Sequence, residues 1–277
     1  MQLGIRLHDL ADGPLPQRIA DARAQGFTCG QLAPARFLPA YPSDAALTPG
    51  LAFYLKRLFW DAGIDIAVLG CYLNLAHPEP AALRQIQARY EAHLRFAALL
   101  GCGMVGTETG APNADYRYCA ECRSEAALAQ FIANLRPVVA MAEKLGVLIG
   151  LEPVHTHIVY NAARAKTVLD AIQSPNLQII FDPVNLLDAD NYTRREALFD
   201  EVFSLLGDAI AAVHLKDFAV QNSQLVSVPI ASGLMDYAPI LRFIKNEKPF
   251  LHTLLEETTP ANAAFAVQHL QNVWHAL

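Results

Sequence analysis

The chain has 277 residues, 53% of them hydrophobic and 17% charged, with a formal net charge of −6. That balance describes a globular chain able to bury a large core and excludes an intrinsically disordered one. An acidic surplus argues against broad phosphate-backbone binding, which needs clustered Lys and Arg, so small-molecule chemistry is expected and no nucleic-acid partner.

No uninterrupted apolar run reaches the ~18 residues of a membrane span, so no membrane partner is expected. The opening MQLGIRLHDL carries Arg6 and Asp9 within its apolar stretch, unlike a signal peptide, and a cytoplasmic location is expected. Five cysteines, an odd number spread over the chain, read as reduced thiols rather than a disulfide framework. Cys119 and Cys122 form one CxxC in YCAEC, without the second pair a structural zinc would use.

In chain order, Gln2–Leu7 reads as a strand and Pro16–Gln25 as a helix closed by Gly26. Phe27–Leu32 is the second strand, and a Pro-rich loop, Pro34–Pro49, leads to an amphipathic helix, Leu51–Ala62, stopped by Gly63. Asp65–Leu73 and Met104–Thr107 are the third and fourth strands, with the helix Pro80–Leu100 between them. A loop holding GTETG and NADYRYCAEC precedes the helix Ser124–Leu145, for which Ser124 is an N-cap. Four more apolar runs follow: Gly146–Thr156, Leu177–Asn185, Ala209–Phe218 and Pro249–Thr258. They alternate with the helical stretches Ala162–Ile172, Thr193–Leu206, Tyr237–Lys245 and Ala261–Trp274.

Eight strand-like runs alternating with eight helical ones imply parallel strands joined by helical crossovers. The length matches the ~250 residues typical of a closed (β/α)8 TIM barrel. No linker or composition step divides the chain, so residues 1–277 are expected to form a single domain. Neither GxGxxG nor GxxxxGKS/T occurs, which argues against an open doubly wound sheet.

The last four strands share a device: each apolar run ends in a group able to bind a metal. They end in Glu152, Asp182, His214 and the Glu256–Glu257 pair, at intervals of 30, 32 and 42 residues, each about one βα unit. In a barrel all strand ends meet on one face, so such residues converge. Carboxylates with one imidazole suit one hard or borderline divalent ion, Mn²⁺, Mg²⁺, Co²⁺ or Zn²⁺. Neighbouring strand residues point to opposite faces, and Glu256 is preferred over Glu257. Secondary candidates for substrate contact are His155, Glu108 in GTETG, His8 and His77, all just beyond strands, each with a loop-structural alternative. Lys216 reads either as a substrate contact or as a structural partner of Asp217 or a neighbouring acid.

The segments LEPVH, FDPVN, VHLKDF and LLEETTP, with GTETG, resemble the sugar phosphate isomerase/epimerase group of the xylose-isomerase-like barrel superfamily. That resemblance implies Glu152, Asp182, His214 and Glu256 as metal ligands, with the two glutamates also serving as the acid/base pair of an epimerase. Asn185 departs from the His often found at its position in that group, and an amide is a poor metal ligand but a good hydroxyl binder. The mechanism it implies is chemically coherent. A metal-bound ketose has an acidified C–H, an enediolate forms, and the proton is removed on one face and returned on the other.

The expected activity is therefore a metal-dependent isomerase or epimerase acting on a sugar, keto-sugar or polyol. The alternatives are an inosose-type dehydratase, an endonuclease IV-like hydrolase and a non-catalytic sugar binder. The acidic charge counts against the hydrolase. Substrate choice is expected to lie in the loops Pro34–Pro49, Asn74–Pro80, Pro112–Ser124 and Phe218–Met235, and capping loops of this kind leave a homo-oligomer open.

Overall fold

A computed structural model of the chain describes residues 1–38 and 43–277. Its barrel strands are β1 (Gln2–Arg6), β2 (Cys29–Leu32), β3 (Asp65–Gly70), β4 (Met104–Glu108), β5 (Leu148–Glu152), β6 (Leu177–Phe181), β7 (Ile210–Leu215) and β10 (His252–Leu255). They pair in parallel and close on themselves in the order β1-β10-β7-β6-β5-β4-β3-β2. Closure is the β1–β10 ladder, Gln2 to Ile5 against His252 to Leu255. The expected (β/α)8 barrel is thus the observed fold, and no helix among the described residues is long and apolar enough to cross a membrane.

Around the strands run α1 (Leu15–Ala24), α2 (Pro34–Phe37), α3 (Pro49–Asp61), α4 (Pro80–Leu100), α5 (Glu125–Leu145), α6 (Ala162–Ile172), α7 (Arg195–Leu206), α8 (Ala238–Glu247) and α9 (Ala263–Ala276). Their ends follow local chemistry. Ser124 Oγ accepts the Ala127 N–H at 3.1 Å and caps α5 as expected, and Asn161 Oδ1 caps α6 from the Arg164 N–H at 2.9 Å. Gly101 and Gly146 end α4 and α5 with φ of 82° and 65°, a left-handed turn that favours glycine.

Most apolar side chains pack between the strands and the helices, with Phe27, Phe131 and Phe199 among the largest fully buried. A smaller, separate cluster of Cys29, Val68, Met104, Ile180, Ala212 and Leu254 fills the barrel interior. Two sequence expectations change. The Phe218–Met235 stretch, read as a loop, contains an antiparallel hairpin, β8 (Asp217–Gln221) with β9 (Gln224–Val228). The Asp217 carboxylate anchors it by accepting N–H groups of Phe218, Gly233 and Met235. The Pro34–Pro49 loop holds the short α2 and a 3₁₀ turn, Asp44–Ala46, and its residues 39–42 lie outside the described part.

Candidate active site

Strand alternation builds the floor of the cavity. In β6, β7 and β10 the interior side chains Ile180, Ala212 and Leu254 each precede by two residues Asp182, His214 and Glu256. Glu152 stands likewise two residues beyond Gly150 at the end of β5. All four functional groups are buried, Asp182 at 1% exposure and His214 at 0%. Atoms from Glu152, Asp182 and His214 lie within 4.8 Å of one another. The His214 Nδ1 is 3.3 Å from both Glu152 Oε2 and Glu256 Oε1.

Among the described residues neither ring nitrogen of His214 meets a partner in hydrogen-bonding geometry, although the ring is fully buried. A buried orphan nitrogen beside two carboxylates is what a metal site looks like from the protein's side, so the donor set fits a divalent ion. Glu256 is not among the three clustered residues. Its Oε2 accepts from Lys216 Nζ at 2.9 Å and lies 3.6 Å from Arg6 Nη1.

Lys216 is the polar hub. Its Nζ donates to Asp182 Oδ2 at 2.7 Å and Asn185 Oδ1 at 2.9 Å, as well as to Glu256. Asn185 in turn donates from Nδ2 to Glu152 Oε1 at 2.7 Å. Lys216 therefore partners the site carboxylates, not Asp217. Burial opposes its charge, but Asp182 and Glu256 outweigh that and raise its pKa. Burial likewise works to raise Glu256, yet Lys216, His214 and Arg6 pull it down to about 2. Burial raises Asp182 to about 6 against the pull of Lys216. Burial disfavours a charged His214, and Glu152 and Glu256 overcome it, raising the imidazole to about 9.

Above this floor opens a cavity of about 480 Å³, within the usual range for small-molecule sites. Glu108, Asn185, Lys216 and His8 line it together with Glu152 and Glu256. Glu108 accepts from Tyr116 Oη at 2.8 Å, and His157 Nδ1 stands 3.9 Å from the same carboxylate. His155 and His77 do not reach it. After Pro153 the chain turns outward, the His155 N–H bonds the Asn185 carbonyl, and the ring lines a separate cavity of about 180 Å³ beside Arg123 and Tyr160. His77 Nδ1 instead accepts the Glu79 N–H at 3.1 Å, in the turn before α4.

Sequence reasoning missed Arg6, Tyr116 and Tyr72, which also line the cavity. Arg6 carried a signal, since it ends β1 as Glu152 ends β5. Tyr116 carried none, being one polar-loop residue among several.

A family model described as xylose isomerase-like TIM barrel matches residues 19–272. The chain belongs to that family. A 3-oxo-isoapionate decarboxylase of Pectobacterium atrosepticum is 27% identical over 150 residues, 52% of this chain and 51% of that protein. A probable L-ribulose-5-phosphate 3-epimerase, UlaE, of Mycoplasma pneumoniae is 29% identical over 126 residues, 46% of this chain and 39% of that protein. The chain thus spans about half the length, or less, of these curated relatives. The solved structure of a D-tagatose 3-epimerase-like protein superposes with a TM-score of 0.78 at 16% identity, covering 100% of this chain and 98% of that one. At that identity the likeness is one of fold. Epimerases and isomerases are thus represented among the members and structural neighbours of this family.

Proposed function

We propose that this chain is a divalent-metal-dependent epimerase or isomerase of a small keto-sugar or related polyol. The observation that carries the reading is the pair of carboxylates, Glu152 and Glu256, each 3.3 Å from the same His214 nitrogen. They come from β5 and β10, with β6 and β7 between them in the barrel, so they reach the substrate position from different sides. Glu152, Asp182 and His214 would hold the ion, with Glu256 Oε1 beside them. Such an ion supplies positive charge where a substrate oxygen becomes negative.

The remaining steps belong to the side chains. Lys216 and Arg6 keep Glu256 ionised, so its Oε1, the oxygen Lys216 leaves free, accepts a proton from the carbon beside the carbonyl. Glu152, held at Oε1 by Asn185, would deliver from Oε2 a proton taken up from solvent to the other face of the carbon, inverting it, while Glu256 releases the abstracted proton to solvent. Lys216 and Asn185 fix both carboxylates, so little reorganisation is needed as charge moves.

A second reading, a lyase expelling a hydroxyl, is supported by Glu108. Burial, then the nearby Glu152, raises its pKa to about 7, so near neutral pH a share of it carries a proton that a departing hydroxyl could take.

The test is solvent deuterium incorporation with Mn²⁺ across a panel of ketoses and inososes. An isomeric product carrying one deuterium supports the epimerase, whereas a product lighter by one water supports the lyase. Glu256→Gln is expected to lower kcat by about 10²- to 10⁴-fold, the usual weight of general acid–base catalysis. Wild-type turnover in that variant removes Glu256 from the mechanism.

A further inference from the structure

The CxxC in the loop between β4 and α5 takes no part in the proposed reaction, yet it is joined to the cavity. Cys119 and Cys122 are free thiols with their Sγ atoms 3.8 Å apart. The Cys122 N–H bonds the Cys119 carbonyl at 3.0 Å, a turn that holds two such Cα atoms within about 7 Å. A disulfide needs a Cα separation of about 4.4–6.8 Å, so the backbone already stands close to what the bond demands. Among the described residues only Glu152, Asp182 and His214 gather as three possible metal ligands, so the thiol pair is not a zinc site.

The two sulfurs are unequal. Cys122 is fully buried, two residues before the Ser124 cap of α5, whereas Cys119 is half-buried and open to a small reagent. The other three cysteines are closed off: burial raises Cys29 and Cys102 to about 12 and Cys71 further, so none is a nucleophile near neutral pH. Cys119 is tied to the cavity through Asn113. The Asn113 Nδ2 donates to Cys119 Sγ at 3.3 Å and to the Arg117 carbonyl at 2.7 Å, and its Oδ1 accepts the Arg117 N–H at 3.2 Å. Tyr116, within that clasp, has φ of 57°, a left-handed conformation that a tyrosine keeps only where its surroundings impose it. Its hydroxyl reaches the cavity at Glu108.

We propose that Cys119 and Cys122 are a modification site, oxidised reversibly to a disulfide by low-molecular-weight disulfides, and that closing the bond releases Asn113 and with it the Tyr116 loop. The Cys119 thiolate attacks one sulfur of the reagent and expels the first thiol; the Cys122 sulfur then attacks Cys119 and expels the second. Each cysteine gives up one proton, the two leaving thiolates take them up, and the two electrons lost by the pair reduce the reagent's disulfide. The protein sulfurs close from 3.8 Å to about 2.05 Å. Cys119 makes most of that movement because Cys122 is packed in the core, so the Cys119 sulfur leaves Asn113. The disulfide does not depend on the reaction proposed above; only its effect on turnover does.

The experiment treats the full chain with oxidised glutathione, blocks the remaining thiols with iodoacetamide after unfolding, and weighs the product. The wild type should take up two fewer blocking groups than a dithiothreitol-treated sample and retain no glutathione. Cys122→Ser, which removes the resolving sulfur, should retain one glutathione on Cys119, and Cys119→Ser none. Cys122→Ala repeats the test without placing a hydroxyl in the core. Exchange of the Arg117 amide hydrogen should be about fivefold faster in the oxidised wild type, the weight of one hydrogen bond, and the same treatment should leave it unchanged in Cys119→Ser. A wild type that keeps all five thiols, one that holds glutathione without forming the disulfide, or a disulfide that leaves Arg117 exchange unaltered overturns the proposal. The disulfide and faster Arg117 exchange in a chain that exchanges deuterium into no substrate would overturn the epimerase reading and leave the thiol pair standing.

Discussion

Lys216 shows how one side chain sets the state of several others. Its ammonium bonds two buried carboxylates, Asp182 and Glu256, and an amide that holds a third, Glu152. Removing one partner of a buried ion pair leaves uncompensated charge, at a cost of about 3–5 kcal/mol. Lys216→Met is therefore expected to lose stability on that scale in urea unfolding at neutral pH; a loss below about 1 kcal/mol would mean the carboxylates find other partners. His157 makes a different prediction. Burial lowers its pKa to about 4 against the pull of Glu152. A histidine with a depressed folded pKa contributes stability above its unfolded value, about 6.5, and loses it as pH falls toward the folded value. Between pH 7 and pH 5 the wild type should lose about 2 kcal/mol more than His157→Phe, which keeps a ring against Tyr116 but cannot titrate. Equal losses in urea midpoints at the two pH values would show that His157 stays solvated.

At the scale of elements, the strands position the site from below. Gly150, two residues before Glu152, leaves room inside the barrel: a Cβ there would stand 2.5 Å from Met104 Sδ and 2.8 Å from the Ile180 side chain. Overpacking of a filled interior costs about 1–3 kcal/mol, so Gly150→Ala should lower the unfolding free energy by that amount and reduce kcat by displacing Glu152. Full stability and rate would show that β5 can shift without moving the carboxylate. The hairpin β8–β9 follows the same logic from outside. It begins immediately after Lys216, and Asp217 fixes its base through three N–H groups, so the lysine lies between two anchored strands.

For the molecule as a whole, closure by β1 against β10 brings the first strand beside the last, and with it Arg6 beside Glu256 and Glu257. The barrel gathers Glu152, Asp182 and His214 from three strands that only the fold brings together, so an ion held there as proposed should stabilise the native state alone. With ion at about 100 times its Kd the gain is roughly 2.7 kcal/mol, or about 5 °C in Tm for a chain of this size. Calorimetry with excess Mn²⁺ against EDTA should show that difference, and Asp182→Asn should abolish it. An identical Tm in the two solutions would remove the metal from the reading.

The strand-helix alternation, the barrel closure and three clustered groups, Glu152, Asp182 and His214, were legible in the sequence, because strand-end position in a parallel barrel translates directly into convergence. The cap of α5 at Ser124 was legible for the same local reason, a side chain acting on N–H groups three residues away. Lys216 was visible, but not its partners. Spacing in one strand cannot say that an ammonium will meet a carboxylate from β6 and another from β10. His155 and His77 looked equivalent to His8, yet only His8 turns into the cavity, since the direction of a loop side chain depends on backbone bonds such as that from His155 N–H to the Asn185 carbonyl. Sequence by itself determined which strands end in chemistry. Tertiary structure alone decided how the charges are shared: Glu256 with Lys216 and Arg6, and Glu108 with Tyr116. Charge sharing depends on distances between groups far apart in the chain, and only the closed barrel sets those.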